Sequence, residues 1–122
     1  MKIIVVDDEK IVLDSCRKVL TSEGFDVEII SSSDEALKKL KIEEPVLLII
    51  DVKMPGHDGI YLLKEVRKIT KSLPVIVMSG YHTKETINES TRFGASIFLY
   101  KPFTPEELIA AIYKVIKKEE NK

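Results

Sequence analysis

Val46-Leu-Leu-Ile-Ile-Asp51 is apolar at five consecutive positions and then ends on a carboxylate. A strand with one wet face alternates apolar and polar residues, whereas a strand covered on both faces is apolar throughout. The run therefore belongs inside a parallel sheet with helices on either side. Four more runs rich in Val and Ile flank it, at Ile3–Val6, Val27–Ile30, Pro74–Met78 and Ile97–Tyr100.

The segments between these runs have helical period. The first carries Val12, Leu13, Cys16, Val19 and Leu20 on one stripe and stops at Gly24, where glycine suits a left-handed cap. The second opens on Ser32-Ser-Asp-Glu35, a capping-box pattern, and offers Ala36, Leu37 and Leu40. The third follows Asp58-Gly59, with Leu62, Leu63, Val66 and Ile69 expected to face inward. The fourth runs from about Thr83 to Phe93 and ends at Gly94. The fifth begins with Thr104-Pro-Glu-Glu107, an N-cap, a first-turn proline and a capping-box glutamate, and bears Leu108, Ile109, Ile112, Val115 and Ile116.

The order is (βα)₅ with no spare segment. Short connections and right-handed crossovers then favour a doubly wound, five-stranded parallel α/β sheet. The expected strand order is the flavodoxin-like 2-1-3-4-5, with strands 1 and 3 adjacent at the topological switch point.

Composition narrows the function classes. The chain has 122 residues, room for one domain, and 19 Lys+Arg against 20 Asp+Glu. Such a balance lacks the basic field of a nucleic-acid binder, so no direct nucleic-acid binding is expected. One cysteine, Cys16, excludes an intrachain disulfide and points to an intracellular setting. No apolar run reaches membrane-span length and no leader is visible at the N-terminus, so a cytoplasmic domain without membrane contact is expected.

In open parallel sheets, ligands bind beyond the carboxyl ends of the strands. Strand 1 ends on Asp7-Asp8-Glu9, strand 3 on Asp51, strand 4 on Ser79 and strand 5 on Lys101-Pro102. Adjacent strands lie about 4.8 Å apart, which forces the carboxylates together. A hard divalent cation relieves that repulsion, and Mg²⁺ suits Asp8, Asp51 and a nearby backbone carbonyl. Lys101 adds a second positive charge and Ser79 a hydroxyl donor. Together they form a set suited to phosphoryl transfer onto Asp51. Singly, each residue has a bland explanation, because strand-terminal acids also cap helices and form turns.

At these residues the sequence resembles the receiver domains of two-component response regulators, the CheY-like superfamily. The matching segments are Ile3-Ile-Val-Val-Asp-Asp-Glu9, Leu48-Ile-Ile-Asp-Val-Lys-Met-Pro-Gly-His-Asp-Gly-Ile60, Val77-Met-Ser-Gly80 and Tyr100-Lys-Pro-Phe103. The resemblance runs essentially end to end, with residues 1–118 as the receiver and 119–122 as a tail or the start of a linker. It implies that Asp51 accepts a phosphoryl group from a phosphohistidine on a sensor histidine kinase or phosphotransfer protein. It implies Mg²⁺ on Asp7, Asp8, Asp51 and the Lys53 carbonyl, with Ser79 and Lys101 contacting the phosphoryl group. It implies a cis bond before Pro102. It also implies an aromatic switch at Phe98, linking the site to the surface of the fourth helix, fifth strand and fifth helix. Such a chain catalyses only its own phosphorylation and dephosphorylation. Its downstream effector is unspecified, and a phosphorylation-dependent dimer is compatible with it.

Lys53 and Tyr81 match positions that vary in the family and influence phosphoryl lifetime. Bulk at both would limit water access. His57 and His82 lie in loops and, without a third ligand, read as solvated. Cys16, on an apolar stripe, reads as core. Three other functions compete with this reading. A flavodoxin needs a phosphate cradle where Asp7-Asp8-Glu9 stands. A haloacid-dehalogenase-type phosphohydrolase with an aspartate nucleophile needs a second Asp where Lys53 stands. A receiver-like scaffold acting without phosphorylation is the remaining alternative. No room follows the fifth helix for an effector, so the expectation is a stand-alone receiver or a fragment of a larger regulator.

Overall fold

A computed structural model of the chain describes residues 1–80 and 83–120, the last four of these as backbone only. Among the described residues strands and helices alternate: β1 (Lys2–Val6), α1 (Lys10–Ser22), β2 (Asp26–Ile30), α2 (Ser33–Leu40), β3 (Leu47–Asp51), α3 (Gly59–Ile69), β4 (Val75–Ser79), α4 (Lys84–Arg92), β5 (Ile97–Tyr100) and α5 (Pro105–Glu120). The strands form one parallel sheet in the order β2-β1-β3-β4-β5, as the sequence pattern predicts.

Every residue of β3 and β4 is buried, which explains why neither strand alternates. The pleat sends successive side chains to opposite faces, so each strand supplies two cores. Ile4, Val6, Leu48, Ile50 and Val77 meet Ala36, Leu62, Leu63 and Val66 of α2 and α3. Ile3, Val5, Leu47, Ile49, Ile76 and Met78 meet Leu13, Cys16, Leu20, Leu108 and Ile112 of α1 and α5. Each fully buried aliphatic side chain contributes about 1.5–3 kcal/mol, so this doubly covered centre dominates stability.

The helix ends follow the sequence signals. Ser32 Oγ accepts from Glu35 N, and Asp58 accepts from Tyr61 N. Thr104 and Glu107 form a full reciprocal box, at 2.8 and 3.1 Å. Gly24 and Gly94 both have positive φ, at 90° and 95°. One expectation fails: Ile69 is 43% exposed, not inward-facing. It is the last residue of α3, and the chain turns extended at Thr70, so no following turn covers it. Leu37 and Ile109 are only half-buried.

Register fixes the site. Val6 pairs with Ile50, and Ser79 pairs with Tyr100. The next residues, Asp7 beside Asp51 and Lys101 after Tyr100, therefore emerge at the same carboxyl edge. Among the described residues, no helix is long and apolar enough to cross a membrane.

Candidate functional site

Asp7 and Asp51 are buried at 0% and 4% exposure, and Ser79 at 1%, each at or just beyond the end of an apolar strand. Burial this deep demands a partner, and Lys101 provides it. Its Nζ lies 2.8 Å from Asp7 Oδ2, 2.9 Å from Asp51 Oδ1 and 3.6 Å from Glu9 Oε1. The remaining Asp7 oxygen, Oδ1, accepts from Glu9 N at 2.9 Å. The Lys101–Pro102 bond is cis, as the resemblance implies. Lys101 N donates to Ser79 O at 2.9 Å, so β4 and β5 set the position of the lysine's backbone.

The acids do not serve as helix caps. Glu9 occupies the α1 N-cap, but its side chain makes no capping bond. Asp7, Asp8 and Asp51 instead each offer an oxygen, all within 4.8 Å of one another. A cleft of about 300 Å³ opens over them, lined by Asp8, Glu9, Asp51, Lys53, Ser79, Gly80 and Lys101. A larger groove of about 480 Å³ lies alongside, but its walls are mainly apolar, including Ile11, Val12, Phe103 and Leu108.

Electrostatics express this crowding. Burial pushes the Asp51 carboxyl up to about 6, against the pull of Lys101 and with the help of the charges of Asp7 and Asp8. Burial also raises Asp7, again opposed by Lys101. The Lys101 ammonium is pulled down by burial, but its hydrogen bonds to Asp7 and Asp51 prevail and the net shift is upward. Carboxylates outnumber the lysine, so negative charge remains in excess. A set of hard oxygen donors with uncompensated charge fits a magnesium ion, whose open positions take water or phosphate oxygen.

Two features of the site were not expected from sequence. Gly59 N donates to Val52 O at 2.9 Å, and a Cβ on Gly59 would collide with the carbonyl oxygen of Asp51. The start of α3 thus presses directly on the acceptor's backbone, where only glycine fits. Glu9 joins the cleft wall as a third, weaker partner of Lys101.

Other sequence candidates lie elsewhere. Phe98 is outside the cleft, half-buried against the α3 side of the sheet and edge-on to Tyr100 at 5.5 Å. Tyr100 is 52% exposed. His57 is exposed, its Nδ1 3.0 Å from Asp34 Oδ1 and its ring stacked on Tyr61 at 3.8 Å. Tyr81 and His82 lie outside the described residues. Cys16 is core, its thiol pushed up to about 11 by burial and by the charge of Asp7.

A 2-1-3-4-5 sheet with an acidic pocket and a lysine at its switch point defines the CheY-like class of doubly wound domains. The chain belongs to the response regulator receiver domain family of two-component systems, whose family model matches residues 3–113. It is 33% identical over 118 residues to the transcriptional regulatory protein YesN of Bacillus subtilis, covering 94% of this chain and 32% of that one. It is 32% identical to the alkaline phosphatase synthesis transcriptional regulatory protein PhoP of the same organism, covering 98% of this chain and 50% of PhoP. The chain therefore spans half or less of these relatives. A solved receiver domain protein (CheY-like) from Methanospirillum hungatei matches at a TM-score of 0.95 and 32% identity, over 98% of this chain and 96% of its own.

Proposed function

We propose that this chain is a phosphorylation-dependent signalling switch with Asp51 as phosphoacceptor. One observation carries the reading: a nearly buried aspartate, paired at 2.9 Å with Lys101, stands beside two further acids at the end of a rigid strand. A turn-forming or capping aspartate would need none of this.

In the proposed reaction, an oxygen of Asp51 forms a bond to phosphorus. The P–N bond of a donor phosphohistidine breaks, and its electron pair leaves with the imidazole. The rigid end of β3 fixes the nucleophile, and Lys101 holds positive charge where the transferred oxygens gather. Ser79, at the end of β4 and lining the same cleft, donates its hydroxyl to the phosphoryl group. Asp7, Asp8, Asp51 and the Lys53 backbone carbonyl would hold Mg²⁺, which supplies charge neutralisation for the transferring group. The process is stoichiometric self-modification; the chain turns over no separate substrate.

The proposed output is the one that the receiver resemblance implies. Drawing Ser79 toward a phosphoryl group frees space near Phe98, and the ring turns inward. The surface of α4, β5 and α5 then changes. α4 suits such a role because Ser90 is its one buried residue among those described. The donor is a sensor histidine kinase or phosphotransfer protein, and a downstream effector or a second copy reads the altered face. The near-neutral balance of charge speaks against direct nucleic-acid binding, and the lone buried Cys16 fits a cytoplasmic site of action. We assign residues 1–118 to the receiver and 119–122 to a tail or linker.

Intact-mass measurement after incubation with magnesium and acetyl phosphate tests the proposal. A single phosphoryl adduct that disappears in Asp51→Asn supports it. No adduct from acetyl phosphate or a phosphorylated kinase would favour a scaffold, and sustained release of phosphate from unrelated esters would favour a phosphohydrolase.

A further inference from the structure

α4 is held unevenly. Its first turn has no buried side chain, and Thr86 and Ile87 are only half-covered. Burial is complete only at Ser90, whose Oγ donates to Thr86 O at 2.9 Å. The C-terminal end, by contrast, is tied down. Phe93 packs against the core and carries Lys64 Nζ 4.5 Å above its ring. Ala95 N donates to Ser90 O at 2.9 Å, closing the helix over Gly94.

Arg67 of α3 completes the anchorage. It donates to three backbone carbonyls: Thr70 O at 3.3 Å, Leu73 O at 2.8 Å and Gly94 O at 2.6 Å. Those carbonyls belong to the end of α3, the approach to β4 and the end of α4. Among the described residues the guanidinium has no carboxylate partner, so its fork serves backbone alone. Gly94 is matched to it on two counts. Its φ is +95°, and a Cβ there would meet Arg67 Nε at 2.8 Å.

We infer that Arg67 is the pin on which α4 turns: it fastens the helix's C-terminal end to α3 and leaves the N-terminal end, next in sequence to the Ser79 loop, free to swing. Movement at Ser79 would then tilt the helix and not translate it, concentrating the surface change at Lys84–Ile87. Arg67 touches none of the site residues, so it is a positioning residue. The pivot rests on the proposed switch for its use, but the tether is a property of the resting chain.

Amide hydrogen exchange on the full chain, without metal or phosphodonor, tests the tether. Phe93, Gly94 and Ala95 should exchange more slowly than Ile87. Arg67→Met should speed the first three by about tenfold or more, as expected on losing charge-assisted hydrogen bonds. Arg67→Lys should give a smaller effect, and unchanged exchange at Ile49 and Ile50 would show that the fold is intact. Equal exchange at both helix ends in the parent chain, or no change in either variant, would overturn the tether. Adding magnesium and beryllofluoride tests the pivot. In the parent chain, chemical-shift changes should be largest at Lys84–Ile87 and fade toward Arg92, whereas in Arg67→Met they should spread along the helix. Changes at the Asp51 amides with none in α4, or with the opposite gradient, would overturn the pivot and spare the proposed phosphoryl site. No response anywhere would instead count against that site, and the exchange comparison would still judge the tether.

Discussion

Asp51→Asn keeps the shape of the acceptor and removes its charge, which makes it a direct probe of the strain in the pocket. The Asp51 carboxyl rises from its ordinary 3.8 to about 6, a net result of burial, neighbouring acids and the opposing Lys101. At 1.36 kcal/mol per unit, a rise of roughly two units corresponds to about 3 kcal/mol between the protonation states. Below pH 4 both folded and unfolded chains hold the proton, and the group costs nothing. Between about 4 and 6 the unfolded chain releases the proton while the folded chain keeps it, so stability falls as pH rises. Above about 6 the full cost is present. Asparagine escapes it. In urea unfolding without divalent ions, the variant should match the parent chain near pH 4. It should exceed the parent by up to about 3 kcal/mol at pH 7.5. Magnesium at a hundredfold excess over its dissociation constant should return about 2.7 kcal/mol to the parent and much less to the variant. A stability difference that ignores pH, or a less stable variant at pH 7.5, would refute the electrostatic account.

Lys101→Met should have the opposite sign. It leaves two buried carboxylates without their cation, costing about 3–5 kcal/mol near neutral pH and less at pH 4.5, read by the same urea titration. Gly59→Ala should destabilise by about 1–3 kcal/mol or more, since the added methyl meets backbone that has no room to move; thermal unfolding measures it. Lys53→Ala combined with Tyr81→Ala should shorten the phosphoryl lifetime severalfold, followed by loss of the adduct after the donor is removed. A lifetime equal to the parent's would sink the idea that bulk at these positions excludes water.

The run Val46–Ile50 disclosed the fold because a strand buried on both faces has no choice but to be apolar throughout, and β3 is buried at every residue. Once the order of elements was set, chain connectivity and register brought Asp7, Asp51, Ser79 and Lys101 to one rim. What sequence did not show was how they divide their contacts. Lys101 meets Asp7 across 94 positions of chain, and no local pattern encodes that bond. Glu9 looked like one more acid after a strand, yet it forgoes capping and leans toward Lys101. Gly59 read only as the start of a helix, because the crowding that demands glycine comes from the backbone of Asp51. Ile69 misled for a related reason: helical period predicts a face, not the residue at which the helix ends and its cover stops. Arg67 carries no local signal beyond being a basic residue in a last turn, and its three carbonyl partners lie on segments whose meeting is tertiary.

Acyl-phosphate trapping tests the central claim most directly. The chain is incubated with magnesium and acetyl phosphate, then reduced with borohydride, which converts a phosphorylated aspartate to homoserine. Peptide mass mapping should find homoserine at position 51 alone, with its yield falling away in Lys101→Met. Conversion at Asp7 or Asp8, or no conversion at all while the parent chain remains folded, would contradict the assignment of Asp51 as phosphoacceptor.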